Sequence, residues 1–215
     1  MQFEEFLKQI SKLSILDLPG QEAHYLMAPE ERIQQLSKLD IEKRKPREAG
    51  VMAVFYPDSQ GETTLVLILR RTYKGVHSNQ VGFPGGKAEP VDADLEATAL
   101  RETEEEVGLK AEDIRVLKKL TRLYIPPSNF WVQPYIGVVD YTPEFIPEEA
   151  EVAAILEVPL TAFLSEDSLI RRQIDTSYGS MIDVPAFDLA GHVVWGATAM
   201  MLSEIKWVLQ QIDAF

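Results

Sequence analysis

Cysteine is absent from the chain, which excludes disulfides and thiolate metal sites and agrees with a reducing compartment. Histidine is scarce, and His24, His77 and His192 are too scattered for a zinc signature. No apolar run approaches the roughly 18 residues that a membrane-spanning helix needs. The opening MQFEEFLKQI has no basic region leading into an apolar stretch, so neither a membrane partner nor a signal peptide is expected. Together these absences predict a cytoplasmic protein. Positive charge is also short: 21 Lys and Arg against 34 Asp and Glu leave a net charge of −13. That balance is wrong for a general nucleic-acid binder, whose affinity comes largely from neutralising phosphates. An acidic chain that handles an anion needs local cations. With 46% hydrophobic residues, the 215-residue chain can bury one substantial core.

What the chain does have is a concentrated acidic segment, GFPGGKAEPVDADLEATALRETEEEVGL, residues 82–109. From Asp92 onward it reads as a helix, because Leu95, Ala99, Leu100, Thr103 and Val107 return to one side at helical spacing. At roughly 100° per residue, Glu102, Glu105 and Glu106 fall together on the adjoining side. Such crowding repels itself by a few tenths of a kcal/mol per like-charged pair, so a cation should compensate. Oxygen-only ligands suit a hard ion, which makes Mg2+ or Mn2+, shared with substrate phosphates, the expected cofactor. Arg101, four residues before Glu105, can hold one carboxylate in place, and Gly108 supplies the helix end. Asp92 serves either as the N-cap, the preferred reading, or as an indirect metal ligand. Upstream, Phe83-Pro84-Gly85-Gly86 is a rigid turn followed by two residues without side chains, where backbone can approach an ion or a phosphate. Gly86 and the three glutamates are therefore candidates for one metal cluster. An acidic helix with a purely structural role leaves that glycine loop unexplained.

Gly86, Arg101-Glu102, Glu105-Glu106, Gly108 and Leu109 resemble the Nudix box, Gly-x5-Glu-x7-Arg-Glu-U-x-Glu-Glu-x-Gly-U with U a bulky aliphatic residue. Thr103 departs from U, and Asp92 takes the first acidic position with eight residues, not seven, before Arg101. Leu67 to Gly86, LILRRTYKGVHSNQVGFPGG, is similar to the signature that precedes the box in coenzyme A pyrophosphatase-type Nudix hydrolases, although Gly75 and Asn79 stand where that pattern has Arg and Gly. PGQEAHYLMAPEERI and VVWGATA resemble its flanking segments, so the similarity covers most of residues 19–205. The resemblance implies an α/β/α sandwich with a mixed sheet. It also implies Mg2+- or Mn2+-dependent hydrolysis of a diphosphate linkage, in coenzyme A or a derivative, giving 4′-phosphopantetheine and adenosine 3′,5′-bisphosphate. Arg101, Glu102, Glu105 and Glu106 would then be catalytic, with Glu151 completing the site or serving as base. Another nucleoside diphosphate derivative such as ADP-ribose, or a non-catalytic nucleotide-binding module, are the alternatives.

Elsewhere, residues 1–48 read as an N-terminal helical extension packed on a domain spanning 49–215. Its first helix covers 3–13, and a second starts after Pro29 with Ile33, Leu36 and Leu39 inward. This extension also makes a homodimer an expectation. The basic run 43–47, KRKPR, is either a solvated linker or a reach toward a phosphate. Ala49–Tyr56 and Thr64–Leu69 form a predicted hairpin. Arg70 leaves its second strand close to the FPGG loop, and Arg70, His77, Phe83 and Phe130 are the substrate-binding candidates. Ile114–Ile125 and Phe130–Val139 read as paired strands whose PPSNFW connection offers Phe130 and Trp131 for stacking or for the core. Strands over Val152–Val158, Ile170–Thr176 and Met181–Asp188 and a last helix over Gly196–Ile212 complete the expected architecture.

Overall fold

The period of the β-branched and aromatic residues in the first hairpin decides the layers. In the computed structural model, which describes residues 1–71, 80–176 and 179–213, β1 (Arg47–Pro57) and β2 (Thr63–Arg70) pair antiparallel with Phe55 opposite Leu65. Side chains alternate across a strand. Ala53, Phe55, Leu65 and Leu67 accordingly enter one core, and Met52, Val54, Tyr56, Val66 and Ile68 enter the other.

This hairpin sits inside an eight-stranded mixed sheet. β3 (Val81–Gly82) and β8 (Val152–Pro159) pair with β2, while β4 (Gly85–Lys87) and β7 (Phe130–Val138) pair with β1. β5 (Arg115–Lys119) and β6 (Leu123–Ile125) pair with β7. The β1–β7 pair is parallel. On one face lies α4 (Leu95–Val107), which buries the small or branched side chains of Ala99, Thr103 and Val107. On the other lie α6 (Gly196–Asp213), α1 (Phe3–Ile10) and α2 (Gln21–Leu26), with the Phe6 ring 5.1 Å from Phe55. A second, antiparallel sheet of β9 (Leu169–Thr176), β10 (Gly179–Leu189) and β11 (His192–Trp195) packs beside α6. The architecture is the expected α/β/α arrangement with a mixed sheet.

Three features differ from the expected elements. The first predicted helix stops at Ile10 and continues as a 3-10 turn over Ser11–Ile15. In α3 (Glu30–Lys38) Ile33 and Leu36 are only half-buried, and the buried residue is Arg32. The short α2, α5 (Leu160–Leu164) and β11 were not anticipated, because elements of four to six residues carry too few turns or alternations to show a period.

Candidate active site

Helix α4 delivers the acidic residues, and its start differs from the expected one. Asp94 is the N-cap, its carboxylate accepting from the Ala97 N–H at 2.8 Å. Asp92 instead grips Arg101, with Nε–Oδ1 2.8 Å and Nη2–Oδ2 3.0 Å. That guanidinium holds the Asp92 carboxyl well below the usual carboxylate range, and Asp92 is a clamp for Arg101, not a cap. Arg101 also donates to Glu102 at 2.9 Å, to Glu105 at 2.9 Å and to the Lys87 carbonyl of β4 at 3.3 Å. One guanidinium thus fixes two of the three glutamates and ties α4 to the glycine strand. The helix ends at Gly108, which adopts φ 73°.

The three glutamates do not share one environment. Glu106 is buried and accepts from the Gly85 N–H at 2.8 Å and from Arg70 Nη2 at 2.9 Å. Burial pushes its carboxyl up to about 7, opposed by Arg70 and the Gly85 N–H and reinforced by the charges of Glu102 and Glu151. Glu102 lies against Gly86, where a Cβ would stand 2.2 Å from its Oε2. Burial raises the Glu102 carboxyl as well, against the pull of Arg101 and with Glu105 and Glu151 adding to it. Glu105 turns outward, its side chain 58% exposed, and is held at the rim by Arg101.

Glu151 is exposed, yet its charge reaches both inner glutamates. Its carbonyl accepts from the Arg71 N–H at 2.8 Å. A bulge in the β2–β8 register, from Leu69 opposite Ala154 to Arg70 opposite Val152, sets Arg70 and Glu151 side by side at the strand ends. The acidic loop before β8 is fastened to α4 by Ile146 N–H to the Val107 carbonyl at 2.9 Å and Glu148 N–H to the Glu106 carbonyl at 3.0 Å. These bonds satisfy carbonyls that the helix end leaves open.

On the far side of the glycine strand is a cavity of about 520 Å³. Arg70, Gly85 and Gly86 belong to its wall and also touch the glutamates. Phe83 and Phe130 line it, with the Arg47 guanidinium 4.1 Å from the Phe130 ring centre. Trp131 is not part of the lining: it packs on Tyr124 at 5.3 Å under Arg122. Within the basic run, Arg47 donates to the Ser128 carbonyl at 3.1 Å and Lys43 pairs with Asp40 in solvent. The expectation for His77, and the departures at Gly75 and Asn79, lie outside the described residues. Arg32, which periodicity had no means of marking, lines the cavity from α3.

The donor set fits a hard divalent ion in kind. It is made of carboxylate oxygens whose protonation is favoured first by burial and then by neighbouring carboxylates, beside a glycine that leaves room. Among the described residues, no group of three or more His, Asp or Glu side chains is already gathered as a metal cage, since Arg70 and Arg101 answer part of the negative charge.

A model of the NUDIX domain matches residues 46–177. The chain belongs to the Nudix family. Among its relatives, Nudix hydrolase 15, mitochondrial, of Arabidopsis thaliana is 33% identical over 180 residues, 80% of this chain and 62% of that protein. The uncharacterized Nudix hydrolase NudL of Yersinia pestis (strain Pestoides F) is 44% identical over 104 residues, 48% of this chain and 52% of that protein. The matched stretch thus spans between about half and three-fifths of these relatives' length. A MutT/nudix family protein from Enterococcus faecalis superposes with TM-score 0.51 at 15% identity, over 91% of this chain and 76% of that one. The Nudix hydrolase RenU of M. smegmatis gives TM-score 0.50 at 16% identity, over 79% and 86%. At these identities the two structures speak for the Nudix fold alone. No helix among the described residues is long and apolar enough to cross a membrane.

Proposed function

We propose that this Nudix chain hydrolyses a diphosphate linkage with Mg2+ or Mn2+ as cofactor, and that its substrate is coenzyme A or a derivative. One observation carries the reading. The buried Glu106, the half-buried Glu102 and a roomy cavity share a single wall, Gly85–Gly86, and Arg70 both pairs with Glu106 and lines the cavity. A diphosphate laid along that wall has the carboxylates behind the glycines and the cations Arg70 and Lys87 in the cavity lining. A bound divalent ion would neutralise charge on the diphosphate oxygens and acidify the attacking water. Glu102 and Glu106, with Glu105 from the rim and the Gly86 backbone, are the groups we assign to hold it. Arg101 is a positioning residue that sets Glu102 and Glu105. In the reaction, water adds to one phosphorus, the bridging P–O bond breaks, and two phosphate monoesters leave. Glu102 or Glu151 accepts the water proton. Arg70 orients the phosphates through its planar fork, and Phe83 and Phe130 offer apolar faces to the organic parts.

Coenzyme A is the favoured substrate because of the segment from Leu67 to Gly86, and because Arg44 and Arg47 gather at the turn that lines the cavity. The products would be 4′-phosphopantetheine and adenosine 3′,5′-bisphosphate. Since Phe130 can face any nucleobase, ADP-ribose or another nucleoside diphosphate derivative is the second reading. We treat residues 1–48 as an extension and 49–215 as the catalytic domain, in a reducing, cytoplasm-like compartment and without nucleic acid as partner. The exposed Ile15 and Leu26 of that extension support a second copy of the chain as its partner. The test is incubation with Mg2+ and coenzyme A, dephospho-coenzyme A or ADP-ribose, followed by mass analysis of products. Cleavage of coenzyme A to the two named products is expected. Cleavage of ADP-ribose alone would move the substrate, and no cleavage of any diphosphate would overturn the hydrolase reading.

A further inference from the structure

Arg32 is 4% exposed, and it enters the cavity from α3, outside the region matched by the family model. Its Nη2 donates to the Tyr124 carbonyl at 3.1 Å, which fixes the direction of the guanidinium. Tyr124 in β6 lies three strand spacings from Gly86 in β4, across β1 and β7, or about 14 Å at ordinary strand separation. Arg32 is therefore anchored well away from the glutamates, while sharing one cavity with the wall that carries them. Also in the lining, in the β6–β7 turn four residues after Tyr124, is Ser128, whose hydroxyl oxygen is buried and has no hydrogen-bond partner. A buried hydroxyl without a partner costs about 1–3 kcal/mol, and a cavity wall is where a ligand can recover that. Asp175 is the acidic residue of the lining, and its carboxylate is engaged by the Ser180 hydroxyl and the Met181 N–H.

We infer that Arg32 and Ser128 form a second anion subsite, one that takes a phosphate monoester carried by the substrate apart from its diphosphate. This deepens the hydrolase reading and rests on it for the substrate. The guanidinium supplies positive charge, and the serine hydroxyl supplies a single directed donor. The N-terminal extension thereby sets specificity and does more than cover the core.

The experiment compares kcat/KM for coenzyme A with kcat/KM for dephospho-coenzyme A in the full chain, Arg32→Gln and Ser128→Ala, with melting curves for each. The ratio should fall about ten- to a hundredfold in Arg32→Gln and several-fold in Ser128→Ala, through KM for the phosphorylated substrate. A folded Arg32→Gln with the unaltered ratio overturns the subsite; should that variant not fold, an unaltered ratio in Ser128→Ala does so. A merely structural arginine would lower both substrates together and leave the ratio alone. If the unsubstituted chain cleaves neither substrate, the hydrolase reading fails separately. The subsite is then judged by calorimetry without turnover: adenosine 3′,5′-bisphosphate should bind at least about tenfold tighter than AMP. Equal affinity contradicts the subsite.

Discussion

Glu106 combines burial, an arginine partner and a backbone N–H, and its carboxyl is nevertheless raised to about 7. The folded chain therefore holds that proton more tightly than the unfolded chain. Stability from this group is fully present below the ordinary carboxylate range and is lost as pH climbs toward 7, by about 3 kcal/mol in all. With chelator present, the melting temperature should fall from about pH 5 to about pH 8. A divalent ion favours the carboxylate, so the rise in melting temperature on adding Mg2+ should grow over the same interval. An equal rise at every pH would detach the ion from Glu106. Glu106→Gln should remove the pH slope, spare the fold and cut diphosphate hydrolysis at least about a hundredfold; turnover within a few-fold of the unsubstituted chain would contradict its assignment. At this scale the sequence was partly legible. The Arg101–Glu105 pair follows from four-residue spacing, and the structure holds it at 2.9 Å. The Arg70–Glu106 pair joins residues 36 apart, which no local period can show. Asp92 was the expected cap; the structure gives that place to Asp94, which accepts from the Ala97 N–H, and turns Asp92 to Arg101 nine residues on.

At the scale of elements, α4 approaches β1 so closely that Gly50 is required. A Cβ there would lie 2.2 Å from the Leu95 carbonyl and 3.0 Å from the Ala99 nitrogen, both backbone atoms that cannot step aside cheaply. Gly50→Ala should push the helix off the sheet, cost about 1–3 kcal/mol in denaturant unfolding, and lower activity by displacing Glu102 and Glu106 from the glycine strand. Loss of stability with full activity would show that the helix position matters less than proposed. The hairpin and α4 could be read in advance because each is long enough to repeat its period. The short α2, α5 and β11 could not, since tertiary packing decides them.

Across the whole molecule, the N-terminal extension is part of the main core. Phe3, Phe6, Ile10 and Leu13 are all buried, and the chain start is pinned by the Met1 ammonium to Glu62 at 2.7 Å. Phe6→Ala should cost about 3–5 kcal/mol and lower the melting temperature of the entire chain in one transition; an unchanged transition would make the extension a separate unit. The layered α/β/α plan was legible from alternation and helical period, while the cavity was not, because its wall draws on α3, six strands of the main sheet and the start of α6. The central claim is that Glu102 and Glu106 hold a divalent ion beside the Gly85–Gly86 wall. Crystals grown with Mn2+ and a non-hydrolysable diphosphate analogue test it by anomalous scattering. The account predicts a peak between those carboxylates and the Gly86 carbonyl, with analogue phosphates on its other side; a peak elsewhere, or none, would contradict it.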